Sequence, residues 1–415
     1  MLFTASALTG PTRMSHDHAD LIWRAEAVEH VCRTRQSVLD GFRSESVPLD
    51  DVAGRVLAEP IDATEDVPAF DHATMDGYAF DATDDYPLTV ADAGVYPEDE
   101  PPSIDDGEAV EIATGAPLPP AANAVLKRED STVDDGQLTG PSLDPGTYTY
   151  QRGSNVEAGE RLFDAGTRLS PKDAILLGDL GYESVAVTGQ LSVGVLATGT
   201  EIHEDRQNDL DSPMLMGLIR SWGHEATYEG TVPDDYDAVE SAITALAEQY
   251  DVVLTTGGTS VGHRDYVVRA LDALGEVQFH RVRIRPGKPI ALATLPDAVA
   301  FAIPGKPLGA HTVSTLVMRP FFTGDTDLPH VEATFERDLA MGPEGFEYVV
   351  PVVLDDDSAM PLGHADSPLQ VYDDVFDPSV LSSSSRATRA DGFVSTQTAI
   401  AAGDRVDVVP YPVVE

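Results

Sequence analysis

Two identical tetrapeptides, Pro286-Gly287-Lys288-Pro289 and Pro304-Gly305-Lys306-Pro307, carry two of the four lysines in the chain. The same chain holds 22 arginines and 71 acidic residues. Lysine kept twice in one rigid turn favours specific anion contacts over generic solubility. Upstream lies the run Thr255-Thr256-Gly257-Gly258-Thr259-Ser260-Val261-Gly262-His263-Arg264-Asp265. Gly257, Gly258 and Gly262 let backbone N–H groups approach an anion closely, and Thr256, Thr259 and Ser260 add hydroxyl donors. His263-Arg264 stand where a Walker A loop needs Lys-Ser/Thr, and the run does not read G-x-G-x-x-G, so a dinucleotide fold is unsupported. A glycine-rich tight turn without a ligand is the competing reading. A third loop, Ala197-Thr198-Gly199-Thr200-Glu201, supplies Glu201, and Asp265 closes the second. Two carboxylates beside a phosphate cradle imply a bridging divalent cation, most simply Mg²⁺. Each is alternatively a helix cap or first-turn acid.

These loops need a scaffold, and residues 191–325 alternate between apolar strands and amphipathic helices. Val193–Leu196, Ala226–Glu229, Val252–Leu254, Val277–Ile284, Ile290–Thr294 and Ala298–Ile303 read as strands. Helices are expected from Ser212-Pro213, after the capping pair Asp234-Asp235, over Tyr266–Leu274 and from about Leu308, with Gly223 and Gly275 as stops. Such alternation predicts a doubly wound, mostly parallel sheet whose three loops open at the carboxyl ends of its strands. Residues 1–19 read as a tail, with Met14 a candidate start. A helix is expected over 20–43 with Val28, Val31, Val38, Leu39 and Phe42 on its apolar face. A β-rich insertion of short strands spans 61–149, and a further helix starts at Ser170-Pro171. Short strands over 329–415 predict a small C-terminal β-domain. The fold class is therefore α/β and β, in several domains, and the length of 415 residues suggests about three.

The formal net charge is −45. A surface this acidic argues against unaided binding to nucleic acid or anionic membrane. The single cysteine, Cys32, excludes a disulfide scaffold and cysteine-based metal centres. No apolar run approaches the roughly 18 residues of a membrane span, and no secretory signal is visible, so a cytoplasmic setting is expected. Dispersed acid with scarce lysine suits a salt-rich cytosol and points to a halophilic protein; an acidic face for a basic partner is the alternative. His16, His18, His280 and His311 are isolated, and Ser382–Ser385 reads as loop.

Two N-terminal stretches remain. Phe70-Asp71 leads through His72-Ala73-Thr74 to Met75-Asp76-Gly77-Tyr78-Ala79, and Thr114-Gly115-Ala116-Pro117-Leu118-Pro119 follows. Together with Gly257–Gly262, Asp265-Tyr266 and Pro286–Pro289, in this order, they resemble the molybdenum insertases (molybdopterin molybdenumtransferases), the MoeA-like proteins and the gephyrin E domain. The resemblance covers nearly all of the chain from about residue 20.

It implies a Mog-like α/β domain at 191–328, an N-terminal dimerisation region at 20–60 and 150–190, and a homodimer whose active site lies between subunits. It implies a reaction in which adenylylated molybdopterin and molybdate give molybdenum cofactor and AMP, helped by Mg²⁺. Carried over by motif, Asp76 and Thr114 form the partner-side wall. Glu201, Asp234 and Asp265 handle the cation, nucleotide or water, with Glu201 and Asp265 as metal ligands. Lys288 and Lys306 meet the oxyanion, and Thr198, Gly257, Gly258, Thr259, Ser260 and Gly262 form the rest of the substrate site. Other cofactor-synthesis enzymes are candidate partners. The sequence departs from the family's pattern at Asn155, Thr200, Pro213, Lys306 and Asp391. Those changes leave open a cofactor-binding carrier or divergent paralogue, and tungsten in place of molybdenum. A nucleotide-processing enzyme on the same α/β domain is a weaker reading, because it has no use for Met75–Tyr78.

Overall fold

A computed structural model describes residues 21–258 and 266–415. The tail read at 1–19 lies outside the described residues, as do Thr259, Ser260, Gly262 and Asp265. The chain divides into two compact units. One comprises Ser44–Thr188; the other ends its first stretch at Arg43 and resumes over Gly189–Glu415.

The larger unit is built on a sheet in the order Glu225–Val232, Ser192–Thr198, Val252–Thr256, Val299–Ile303, Ala291–Thr294, Glu276–His280. The first four strands run parallel and the last two join antiparallel. Both faces are covered, so the central strands are apolar along their length instead of alternating with polar residues. Val193, Val195, Val252, Leu254, Phe301 and Ile303 pack towards Leu215, Leu218 and Ile219 of helix Asp211–Ser221 and towards Ala27 and Val31. The intervening Leu196, Val253, Ala300 and Ala302 pack on the opposite face against Val239, Ile243, Val267 and Leu271. Helix Tyr236–Ala247 starts as expected, the Asp235 side chain accepting the Ala238 N–H at 3.0 Å. Helix Tyr266–Leu274 has the bounds its periodicity predicts.

Three local readings need correction. The first helix is Arg24–Leu39, shorter than the expected 20–43; it buries Ala27, Val31 and Thr34, and Val38 and Phe42 of the expected face pack against the same core. Helix Asp173–Asp179 begins later than Ser170: the Ser170 N–H and hydroxyl donate to Asp173 Oδ2 at 2.6 and 2.8 Å, which makes a turn ahead of the helix. The expected strand Val277–Ile284 breaks at Arg281, whose φ is +76°. Its far end, Ile284–Arg285, leaves the α/β sheet and pairs in parallel with Glu347–Asp355, Ile284 opposite Glu347 and Arg285 opposite Tyr348.

That partner belongs to the C-terminal domain. Glu347–Asp355, Ser358–Pro361, Val331–Phe335, Arg405–Pro410 and Gly392–Thr396 pair in succession, and Gly392–Thr396 pairs back onto Glu347–Asp355. The strands close into a small barrel, which removes free edges. Phe335, Val350, Val352, Ala359, Val394 and Val408 fill it.

In the smaller unit, Ser44–Pro48 pairs antiparallel with Ser184–Thr188 and ties its two ends together. Its main sheet has the order Ala124–Lys127, Gly77–Phe80, Glu108–Ile112, Leu88–Val95, Gln137–Thr139, Thr132–Asp134. Alternate residues serve two cores, Ala79 and Val110 in one and Phe80 and Leu126 in the other. Gly77 is required here, because a Cβ would land on the Leu126 carbonyl oxygen. Among the described residues no helix is long and apolar enough to cross a membrane.

Candidate functional site

The parallel register of Ser192–Thr198, Val252–Thr256 and Val299–Ile303 brings the loops after all three to one end of the sheet. There they border a cavity of about 640 Å³. Thr198, Glu201, Asp234, Gly257, Gly258, Lys288 and Lys306 all line it, with Pro378, Ser379 and Ser382 of the C-terminal domain at its margin. Thr259, Ser260, Gly262 and Asp265 lie outside the described residues.

Gly257 and Gly258 have φ of +83° and +64°. A Cβ on Gly257 would sit 2.5 Å from the Thr198 carbonyl oxygen, and one on Gly258 would sit 2.8 Å from Thr198 Oγ1. Both the left-handed backbone and the close approach of the neighbouring loop therefore call for glycine. The Thr198 hydroxyl donates to the Thr256 carbonyl at 2.9 Å, which ties the first loop to the second. Thr200 and Asp234 form a reciprocal pair. The Thr200 N–H donates to Asp234 Oδ2 at 3.3 Å, and the Asp234 N–H donates to Thr200 Oγ1 at 3.0 Å. Thr200 thus orients Asp234. Glu201 is exposed beside them.

The cavity has an acidic wall that residue spacing did not single out. Asp209 Oδ1 accepts the N–H groups of Asp211 and Ser212 at 3.2 and 3.1 Å, at the start of helix Asp211–Ser221. Asp211 is only 6% exposed, and its Oδ1 has no hydrogen-bond partner among the described residues. Burial, with Asp209 adding to it, pushes its carboxyl up to about 6. Residues 209–211 read Asp-Leu-Asp, a pattern that by itself does not report the depth of Asp211.

Another part of the lining is basic. Arg285 joins Lys288 in lining the cavity, and Arg281 lies close enough to act on Lys288. Burial first, and then the charges of Arg281 and Arg285, hold the Lys288 ammonium below the ordinary lysine range. None of these three cations is ion-paired with a carboxylate among the described residues, although the chain carries 71 acids. Lys306 differs, since its Nζ donates to the Ser379 carbonyl at 3.1 Å.

Cations and N–H donors facing carboxylates suit an anion that arrives with a metal ion or changes its charge during reaction. The hard oxygens of Glu201, Asp209, Asp211 and Asp234 match the donor chemistry of Mg²⁺. Among the described residues, however, no three His, Cys, Asp or Glu side chains converge to hold an ion.

Asp76 and Thr114 lie in the smaller unit. The Thr114 N–H and hydroxyl both donate to Asp76 Oδ1, at 2.7 and 2.8 Å, and hold that carboxyl below its usual range. Phe70, Met75, Tyr148 and Tyr150 of the same unit are exposed.

Residues 24–181 match the MoeA N-terminal region, domains I and II, and residues 194–324 match a probable molybdopterin binding domain. The chain is 33% identical over 298 residues to a molybdopterin molybdenumtransferase of Haemophilus influenzae, spanning 67% of this chain and 72% of that protein. It is 30% identical over 384 residues to a Bacillus subtilis protein of the same name, spanning 81% and 86%. A crystal structure of a Pyrococcus horikoshii MoeA protein of molybdopterin biosynthesis superposes with a TM-score of 0.74 at 29% identity, covering 94% of this chain and 99% of that one. The chain therefore belongs to the molybdopterin molybdenumtransferases, transferases of molybdenum cofactor biosynthesis.

Proposed function

We propose that this protein inserts molybdate into adenylylated molybdopterin, releasing AMP and forming molybdenum cofactor. The observation that carries this reading is the cation group Arg281, Arg285 and Lys288, without described carboxylate partners, beside the Gly257-Gly258 turn at the carboxyl ends of the parallel strands. Both substrates are anions, and negative charge grows on the AMP phosphate as its pyrophosphate linkage opens. Fixed cations and N–H donors aimed at that charge lower the barrier. In this reading Lys288 and Arg285 receive the oxyanion, the loop around Gly257 and Gly258 cradles phosphate, and Asp234 orients the nucleotide side. Mg²⁺, held by Glu201 and Asp265, supplies charge neutralisation when bound. A homodimer brings Asp76 and Thr114 of one subunit to the site of the other. The dispersed acid supports a salt-rich setting, in which the melting temperature is expected to rise with KCl at constant pH.

The test is AMP release by the purified protein in molar KCl with Mg²⁺, with and without molybdate. Molybdate-dependent release that Asp265→Ala abolishes supports the reading, and full activity in that variant removes Asp265 from the mechanism. A carrier is the second reading, favoured by Lys306, whose ammonium engages the Ser379 carbonyl. It predicts retained pterin without AMP release; tungstate would then be the next addition.

A further inference from the structure

The basic wall raises a physical difficulty. Arg281, Arg285 and Lys288 repel one another, and burial already disfavours the Lys288 charge. A protein with 71 acids has an easy remedy in a nearby carboxylate. A carboxylate would also occupy the donors that an incoming oxyanion needs. Among the described residues no carboxylate is ion-paired with them, so something uncharged holds the cations there.

Phe346 is placed to do so. It immediately precedes strand Glu347–Asp355, and the ladder that sets Ile284 opposite Glu347 brings it beside the first Pro-Gly-Lys-Pro turn. Arg285 Cζ lies 4.0 Å from the centroid of its ring, and Lys288 Nζ lies 5.9 Å from the same centroid. One aromatic ring thus meets two cations. Phe346 is 7% exposed and packs in the barrel core, which restrains its ring. The loop before it is pinned as well, Arg283 donating to the Gly345 carbonyl at 3.3 Å. The negative face of a ring attracts a guanidinium or ammonium without accepting its N–H hydrogens. The donors therefore stay available on the cavity side.

We infer that Phe346 is a positioning residue of the oxyanion site, an uncharged shelf contributed by the C-terminal barrel that keeps Arg285 and Lys288 together with their donors unoccupied. This rests on reading the cavity as an oxyanion site and deepens it. Phe346 touches no substrate; it acts through the two cations.

The experiment measures binding of molybdate, and separately of inorganic pyrophosphate, to the full-length protein by equilibrium dialysis in molar KCl. Melting temperature and far-ultraviolet circular dichroism are recorded for each variant. Phe346→Leu keeps apolar bulk but removes the π face; it is expected to bind both anions roughly tenfold more weakly. Phe346→Tyr keeps the face and is expected to stay within about twofold of the parent. In AMP release, Phe346→Leu is expected to raise KM for molybdate with little change in kcat. Should Phe346→Leu fail to fold, Arg285→Lys decides: it keeps the charge, loses the planar stack, and is expected to bind at least about fivefold more weakly. Unchanged affinity in a folded Phe346→Leu, equal weakening by Tyr and Leu, or full affinity in Arg285→Lys overturns the inference while leaving the oxyanion site intact. A parent protein that binds neither anion overturns both.

Discussion

In the first Pro-Gly-Lys-Pro turn, Lys288 stands among Arg281, Arg285 and the ring of Phe346, and its ammonium is held below the usual lysine range. In the second turn, identical in sequence, Lys306 donates to the Ser379 carbonyl, and a Cβ on Gly305 would come within 4.0 Å of Asp211 Oδ2. One turn belongs to the basic wall and the other borders the acidic wall. Their glycines differ too. Gly287 needs its φ of +107°, and a Cβ there would overlap Val313 Cγ1. Gly305 has no such φ but lies against Gly257, whose Cα would be 3.0 Å from an added Cβ. Four identical residues therefore carry different loads, set by what each turn packs against.

The contrast can be broken first at the glycines. Gly287→Ala combines a left-handed backbone with a buried clash and is expected to cost about 3 kcal/mol. Gly305→Ala asks only for a small backbone shift and is expected to cost about 1 kcal/mol. Denaturant unfolding in high salt measures both, and equal costs would show that the two turns are under the same constraint. At the lysines, Lys288→Met is expected to weaken oxyanion binding by about 2 kcal/mol, close to thirtyfold, because a charge-assisted contact is lost. Lys306→Met, whose donor already has a carbonyl, is expected to lose about threefold or less. A reversed order in equilibrium dialysis would move the anion to the second turn.

The acid beside the second turn gives a pH signature. Asp211 has a folded value of about 6 against an ordinary 3.8, so the folded state holds its proton more tightly. Its stability contribution falls as pH rises from 3.8 to about 6, and the full cost remains above that. Asp211→Asn is accordingly expected to stabilise the fold by about 3 kcal/mol near pH 8 and by well under about 1 kcal/mol near pH 4. Unfolding curves at the two pH values check this, and an equal effect at both would assign the gain to packing. The smallest effect belongs to Lys288. Its folded value lies below the ordinary 10.5, so the cost of its charge eases and stability rises as pH climbs from that lowered value towards 10.5. Oxyanion affinity falls over the same window as the ammonium is lost. Lys288→Met should flatten the melting-temperature profile there, and an unchanged profile would remove Lys288 as the source of that rise.

Much of this was legible in the chain before folding. Helix Tyr266–Leu274 and the strands through Val193, Val252 and Val299 announce themselves by period and by unbroken apolar runs, because a sheet covered on both faces leaves no room for polar alternation. Thr198, Gly257 and Lys306 were readable because Gly and Pro mark the turns after those strands, and parallel strands put such turns at one end; Lys288 was readable from its repeated Pro-Gly-Lys-Pro turn alone. Arg285 was not readable as a site residue. Its environment depends on Phe346, about sixty residues away, through a ladder that exists only because the chain breaks at Arg281. A positive φ at an arginine leaves no compositional trace. Asp211 was visible as an acid, but its burial follows from how helix Asp211–Ser221 packs, which no local pattern reports.

The short ladder between Ile284–Arg285 and Glu347–Asp355 also bears on how this architecture can be taken apart. A domain joined by a linker can be exchanged for another without retuning its neighbour. Here the barrel holds the backbone register of the α/β domain's own Arg285, so the two share a hydrogen-bonded seam. A chimera that grafts a foreign C-terminal barrel at residue 329 must reproduce that seam and an aromatic residue just before it. Otherwise the graft will fold as two sound halves around a slack binding wall. Modularity in this chain stops one strand short of the domain boundary.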